Sequence, residues 1–200
     1  MIEMRSDTDL LDAWRAGDNT AGSALVRRHF DALHRFFSNK ASGYEEDLVQ
    51  QTFVATTESK HEFRGESSFR AYLFGLARYQ LLTHYRKKYR GPAFDFITTS
   101  IRDLGTSPTS ALSRQEERHL LELALQQIPV DQQIALELTY WEELTAGDVA
   151  LVLDIPENTV YSRIRRAKAH LKEELSRLTA EPASQEAALA LLTKEPDRTD

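Results

Sequence analysis

Two hundred residues suffice for one or two domains, and 41% hydrophobic with 28% charged residues is a globular balance, neither fibrous nor disordered. There is no cysteine, which excludes disulfides, thiol catalysis and cysteine-ligated zinc, and no apolar run near the roughly 20 residues that cross a membrane. A formal net charge of −6 argues against general coating of nucleic acid and leaves room for local basic faces. The first residues lack the basic-then-apolar layout of a signal peptide, so the expected compartment is the cytoplasm, without membrane insertion.

In chain order, Asp9 to Arg15 reads as a short helix capped by Asp7 or Asp9, with Leu10, Leu11 and Trp14 at helical spacing. Thr20 to Phe37 reads as a second helix whose core side is Leu25, Val26, Phe30, Leu33 and Phe37. Glu45 to Glu58 starts a third, with Glu45, Glu46 and Asp47 suiting the positive end of the helix dipole. No Lys or Arg lies between Tyr44 and Ser59, so this helix is an acidic surface. Lys60 to Ser67 is a polar loop holding Gly65. Ser67 or Ser68 then caps a long helix toward Tyr89, about 33 Å if unbroken. Aromatic residues (Tyr72, Tyr79, Tyr85) alternate there with cations (Arg70, Arg78, Arg86, Lys87), the chemistry of single-stranded nucleic acid binding. Core packing is the competing reading. It takes Phe69, Leu73, Leu76 and Ala77, and leaves the basic C-terminal end to function.

Residues 91–113 hold Pro92, Gly105, Pro108 and many Ser and Thr, so they read as a linker. Phe94, Phe96, Ile97, Ile101 and Leu104 make it too apolar for a plain tether. Arg114 to Gln127 is helical, and Pro129 starts a further helix through Leu138. Thr139 to Leu171 then has the layout of a helix-turn-helix. Thr145 caps a first helix, Asp154-Ile155 breaks the pattern, and Pro156 sits at a first-turn position. Val160, Ile164, Ala167 and Leu171 line one buried stripe. Asn158, Thr159, Tyr161, Ser162, Arg165 and Arg166 are the candidate readers of duplex DNA, since Arg suits guanine and Asn suits adenine in the major groove. From Glu157 to Lys172 five bases face one acid, so positive charge is placed locally in an acidic chain. Residues 176–200 form an acidic tail with a short helix over Ser184 to Leu192, and such termini are usually mobile.

Two blocks carry a resemblance. EEDLVQQTF followed by FRGESSFRAYLFGLARYQLL, and LELALQQIPVDQQIALELTYWEELTAGDVALVLDIPENTVYSRIRRAKAHL, are similar to the second and fourth conserved regions of extracytoplasmic-function (ECF) sigma factors. The resemblance spans roughly Asp9 to Leu175. It implies an all-α protein of two small helical domains joined by a flexible linker, the second a helix-turn-helix. The expected bounds are 1–90, a linker at 91–113, 114–175, and the tail at 176–200. It implies no catalysis and no cofactor or metal. The implied partners are core RNA polymerase and promoter DNA, with an anti-sigma factor or a Ser/Thr kinase as candidate regulators. Asp47, Leu48, Gln50, Gln51 and Phe53 would contact polymerase. Lys60, His61, Phe63 and Arg64, with Arg78, Arg86 and Lys87, would hold the downstream (minus-ten) element around a flipped base. The helix from Glu157 would read the upstream (minus-thirty-five) element, and the linker would lie in the polymerase cleft.

The sequence departs from the family at Gln51, where an acid is common. It departs again at Tyr79 and His84 (for Asn and Asp), at Tyr161 (for Lys or Arg) and at Glu143 (for Gly). Thr52 and Thr56 share a helical face, with Thr57 beside them. A phosphate there would restore negative charge near neutral Gln51, so all three are candidate phosphorylation sites. Two other readings compete: a stand-alone helix-turn-helix regulator, and a helical adaptor that does not bind DNA. An enzyme is disfavoured, because the six histidines show no metal spacing and no phosphate loop or nucleophile motif is present.

Overall fold

A computed structural model describes residues 5–88, 95–104 and 116–193. Among these residues every regular element is a helix. The one β-type pairing is an isolated bridge between Ser100 and Pro129. The chain divides into two compact units between Lys87 and Lys88.

The first unit holds α1 (Asp7–Arg15), α2 (Asn19–Ser38), α3 (Glu45–Ser59) and α4 (Phe69–Lys88). The cap of α1 is Ser6, not Asp7 or Asp9. Ser6 Oγ accepts from Asp9 N at 3.1 Å, and Asp9 answers Ser6 N at 3.2 Å, a reciprocal capping box. Asp7 is spent otherwise: it bonds Arg28 at 2.6 Å and His29 at 2.8 Å, tying α1 to α2. Burial pushes the Asp7 carboxyl up, but the bonds to His29 and Arg28 more than offset this, and it titrates below the ordinary carboxylate range. Gly22 lets the same two helices close, since a Cβ there would sit 2.6 Å from the Trp14 ring. The core side of α2 differs from expectation. Phe36 and His29 are buried, whereas Phe30 is 41% exposed and Val26 is half-buried. α4 sinks Phe69, Ala71, Leu73, Phe74, Ala77, Leu81 and Tyr85 into the core, leaving Leu76 half-buried.

The second unit holds α5 (Glu116–Leu125), α6 (Val130–Tyr140), α7 (Ala146–Leu153), α8 (Glu157–Leu178) and α9 (Pro182–Leu192). Asp95–Leu104, expected to be linker, packs on this unit. Phe96, Ile101 and Leu104 are buried, and the carbonyls of Thr99 and Phe96 accept from Val130 N and Asp131 N. Those are first-turn donors of α6, whose N-cap Pro129 supplies no side-chain bond, so the strap caps the helix with backbone. The rest of 91–113 lies outside the described residues. The tail also differs from a mobile terminus. α9 covers an apolar cluster of Leu121, Leu125, Leu171 and Leu175 with its own Ala188 and Leu192. Two left-handed residues shape the helix-turn-helix. Asp154 (φ 55°) ends α7, and Glu143 (φ 51°) occupies a turn where glycine carries no Cβ penalty.

Candidate nucleic-acid and polymerase interfaces

α8 has one buried stripe and one open side. Val160, Ala167, Leu171 and Leu175 are buried along one stripe, with Ile164 half-buried, which turns the opposite side outward. Asn158, Tyr161, Arg165 and Arg166 are exposed there, with Tyr161 63% open, while Thr159 and Ser162 are partly covered. Thr145 Oγ1 accepts from Asp148 N at 3.1 Å and fixes the start of α7. One cation is not available to DNA. Arg163 donates to Asp131 at 2.9 Å, with side chains 13% and 2% exposed, so it locks α8 to α6. Arg163 was counted in the basic balance, but its place one residue from the stripe residue Ile164 is the sequence signal for an inward turn.

The downstream-element residues do not form one cluster. Lys60, His61, Phe63 and Arg64 sit in the α3–α4 loop. Arg15 holds that loop, donating to Lys60 O at 2.7 Å and to Phe63 O. Lys60 Nζ lies 4.7 Å from the Trp14 ring, and Phe63 packs on Tyr72 at 4.9 Å. Thus Lys60 and Phe63 shape the loop, and His61 and Arg64 are its exposed groups. Arg78 is half-buried midway along α4. Arg86 and Lys87, both exposed, lie at the far end, about 26 Å from Phe69 at 1.5 Å per residue. Sequence reasoning missed Arg15 and Trp14, because nothing local marks a contact made across some 45 residues.

On α3, Asp47, Gln50 and Gln51 are exposed and Phe53 is half-buried. Leu48 is 1% exposed, so it is a core residue and not a polymerase contact. An open apolar groove runs between α2 and α3, lined by Val26, Phe30, Val49, Gln50, Phe53 and Val54. Val26, Phe30 and Val54 were not expected there. For Val26 and Phe30 the signal was a surplus of apolar residues on α2 beyond what one buried stripe needs; Val54 lies on α3. The phosphorylation sites need correction. Thr52 and Thr56 are buried, and their hydroxyls donate to Leu48 O at 2.7 Å and Thr52 O at 2.8 Å, out of reach of a kinase in the folded chain. Thr57 is exposed, and its hydroxyl donates to Phe53 O at 2.9 Å. Among the described residues, no group of His, Asp and Glu is placed to hold a metal ion, and no helix is long and apolar enough to cross a membrane.

Comparison with known proteins joins these surfaces. Residues 25–91 match the model of sigma-70 region 2, and residues 118–171 match that of sigma-70 region 4. The chain is 28% identical over 189 residues to the ECF RNA polymerase sigma-E factor of Haemophilus influenzae, covering 89% of this chain and all of that one. It is 29% identical over 170 residues to the ECF sigma factor SigM of Mycobacterium tuberculosis, covering 84% and 83%. The solved structure of CnrH with the cytosolic domain of CnrY superposes with a TM-score of 0.64 at 23% identity, over 88% of this chain and all of that one. The sigma factor RpoE bound to the anti-sigma factor NepR, from Bartonella quintana, gives 0.56 at 25% identity, over 73% and 91%. With both regions matched in order and relatives aligned over most of this chain and of their own length, the chain belongs to the ECF family of RNA polymerase sigma factors.

Proposed function

We propose that this chain acts as a sigma subunit: it binds core RNA polymerase and directs promoter-specific initiation by recognising and opening promoter DNA. The observation that carries it is the pair of region matches, in order, on two separately folded units. α8 reads the upstream element through Asn158, Tyr161, Arg165 and Arg166. The α3–α4 loop, with His61 and Arg64, captures a base of the downstream element. Asp47, Gln50, Gln51 and Phe53, extended by Val26, Phe30 and Val54, form the polymerase-facing surface. The chain does no chemistry itself; it positions the enzyme that does. It works in the cytoplasm, where polymerase and promoter are. Two solved relatives are held by a partner protein, one named an anti-sigma factor, which supports the same class of partner for this chain.

The domains are proposed to divide at the end of α4, with Asp95–Leu104 and α9 counted in the upstream-reading domain. The test is run-off transcription by core polymerase on a library of genomic fragments, with and without the chain. Start sites that appear only with the chain, sharing two spaced elements, are expected. Nanomolar, sequence-specific duplex binding by the chain alone, without new start sites, would favour a stand-alone regulator.

A further inference from the structure

The α3–α4 loop is held from outside itself, by the end of α1. Its nine residues, 60–68, include Gly65 in the left-handed region (φ 74°), and most of them are exposed. Such a segment buries little apolar surface with which to fix one conformation. Arg15, the last residue of α1, supplies the hold. Its Nε donates to Lys60 O at 2.7 Å, a second guanidinium nitrogen donates to Phe63 O, and its Cζ lies 5.7 Å from the Phe63 ring. One planar fork thus grips two carbonyls three residues apart, with exposed His61 between them and exposed Arg64 just after. The third nitrogen donates to Asp12 at 3.1 Å, so every nitrogen of the guanidinium has an acceptor within the first unit. Lys60 is drawn to the same helix end, with its Nζ 4.7 Å from the Trp14 ring. α1 is a firm base for this grip. Asp7 ties its start to α2 through Arg28 and His29, and Trp14, 8% exposed, packs on Gly22 at its end.

We propose that Arg15 is a positioning residue for base capture: it makes no contact with DNA, and it sets the conformation in which His61 and Arg64 meet the flipped base. The physical reason is preorganisation. A loop ordered in advance loses less conformational freedom when the base binds, so more of the contact energy goes to capture and to telling one base from another. Arg15 lies outside the segment that matches region 2, which begins at residue 25, so base discrimination is extended to a helix beyond that region. The competing role for a cation beside such a loop is a phosphate contact. Three engaged nitrogens and a side chain only 24% exposed argue against it. The two roles also differ toward lysine. An ammonium keeps the charge and serves a phosphate, but it has no planar fork to span both carbonyls. The proposal rests on the promoter-opening function above.

The test compares Arg15→Lys and Arg15→Gln with wild type, first as free chains and then in reconstituted holoenzyme on a promoter from the run-off library. In the free chains, hydrogen exchange over residues 60–64 should be about tenfold faster in both variants. Circular dichroism melting checks that they fold, and Arg15→Lys, which keeps the aliphatic stem and the charge, is the milder change. In holoenzyme, permanganate reactivity of the opened strand should fall about tenfold for both, and the preference for the native base at the captured position should shrink by a similar factor. Preference across altered upstream elements, core-polymerase affinity and the salt slope of promoter binding should stay at wild-type values. Full activity in Arg15→Lys, with a salt slope lowered by about 0.7–0.9 in Arg15→Gln, would make Arg15 a phosphate contact and overturn the proposal. Unchanged exchange over the loop in both variants would overturn it as well. Faster exchange with intact base preference would show that the loop is not the reader, so the proposal falls with that assignment. If the sigma function itself is wrong, the wild-type chain yields no run-off product at all, whatever the exchange data show.

Discussion

α4 and α8 are both long basic helices, and they use their charge in opposite ways. α4 buries residues on most of its circumference, and its exposed cations lie at one end, about 26 Å from its first residue, Phe69. α8 buries one stripe and sets its cations along the open side, with a single exception, Arg163, turned in to Asp131. A helix that must present a face to a groove needs a narrow buried stripe. A helix that forms the spine of a unit can offer only its ends and the loops packed against them. Cation count alone therefore does not locate a nucleic-acid site.

The sharpest way to break this contrast is Asp131→Ala. It leaves the Arg163 guanidinium largely buried and without this carboxylate, and removing one member of a buried pair costs about 3–5 kcal/mol. The second unit should melt well below the first in calorimetry, with DNA reading lost as a consequence. Asp131→Leu with Arg163→Met should recover most of the stability. If Asp131→Ala melts like wild type while upstream-element use falls, Arg163 is a DNA contact and the contrast fails.

The next effect comes from α9. Removing residues after Leu178 uncovers the cluster around Leu121, Leu125, Leu171 and Leu175 and deletes buried Leu192, at a cost of about 2–3 kcal/mol. Denaturant titration of the second unit should show this as a lower midpoint. An acidic tail that merely shields the basic face of α8 predicts an unchanged midpoint and tighter duplex binding by the free chain.

Arg165→Ala and Arg166→Ala test the open side of α8 itself. A base contact is worth about 1–3 kcal/mol of discrimination, whereas a phosphate contact lowers the salt slope. At least one variant is expected to change preference among altered upstream elements in run-off transcription. Wild-type behaviour by both would remove α8 as the reader.

What the sequence displayed follows from the same contrast. The stripe of α8 was legible because one side meets the core and the other meets water, so the 3.6-residue period survives. The proline turn and the Thr145 cap were legible because they act within a few residues. α4 was harder, since burial on most sides erases the period. Its core residues Phe74 and Tyr85 are marked by aromaticity, which single-stranded binding shares. Contacts between distant segments left no local trace: Arg15 on the α3–α4 loop, the Phe96 and Thr99 carbonyls on α6, and α9 on α5. Composition misled in the strap and the tail, where Ser, Thr and acidic residues suggested looseness while a few spaced apolar groups docked the segment.

In the first unit the tie between α1 and α2 is electrostatic, and its expected effect is smaller. Asp7 titrates below its ordinary value, so it adds stability above that value, and the addition is lost as pH falls through the lowered one. Asp7→Asn should cost about 1–2 kcal/mol at neutral pH. The stability curves of wild type and variant should converge as the pH drops below about 3.8, the ordinary carboxylate value. Parallel curves down to strong acid would show that the carboxylate does not carry the tie.

The smallest effect on folding is expected at Phe30, and it bears on the proposed polymerase-facing surface. An aromatic ring 41% exposed on a helix gives up little apolar contact when it is lost. Phe30→Ser should thus leave the melting of the first unit within about 0.5 kcal/mol of wild type. A groove that also exposes Val54 keeps its apolar lining open to water only at a cost in solubility, which a partner removes by covering it. Phe30→Ser should accordingly weaken core-polymerase binding by about tenfold, the loss typical of an interface residue worth more than 1 kcal/mol. Val54→Ser should act in the same direction, while Gln51→Ser, on the exposed face away from the groove lining, should do less. Equal, small losses for all three would mean that the polar face of α3 makes the contact and the groove serves something else.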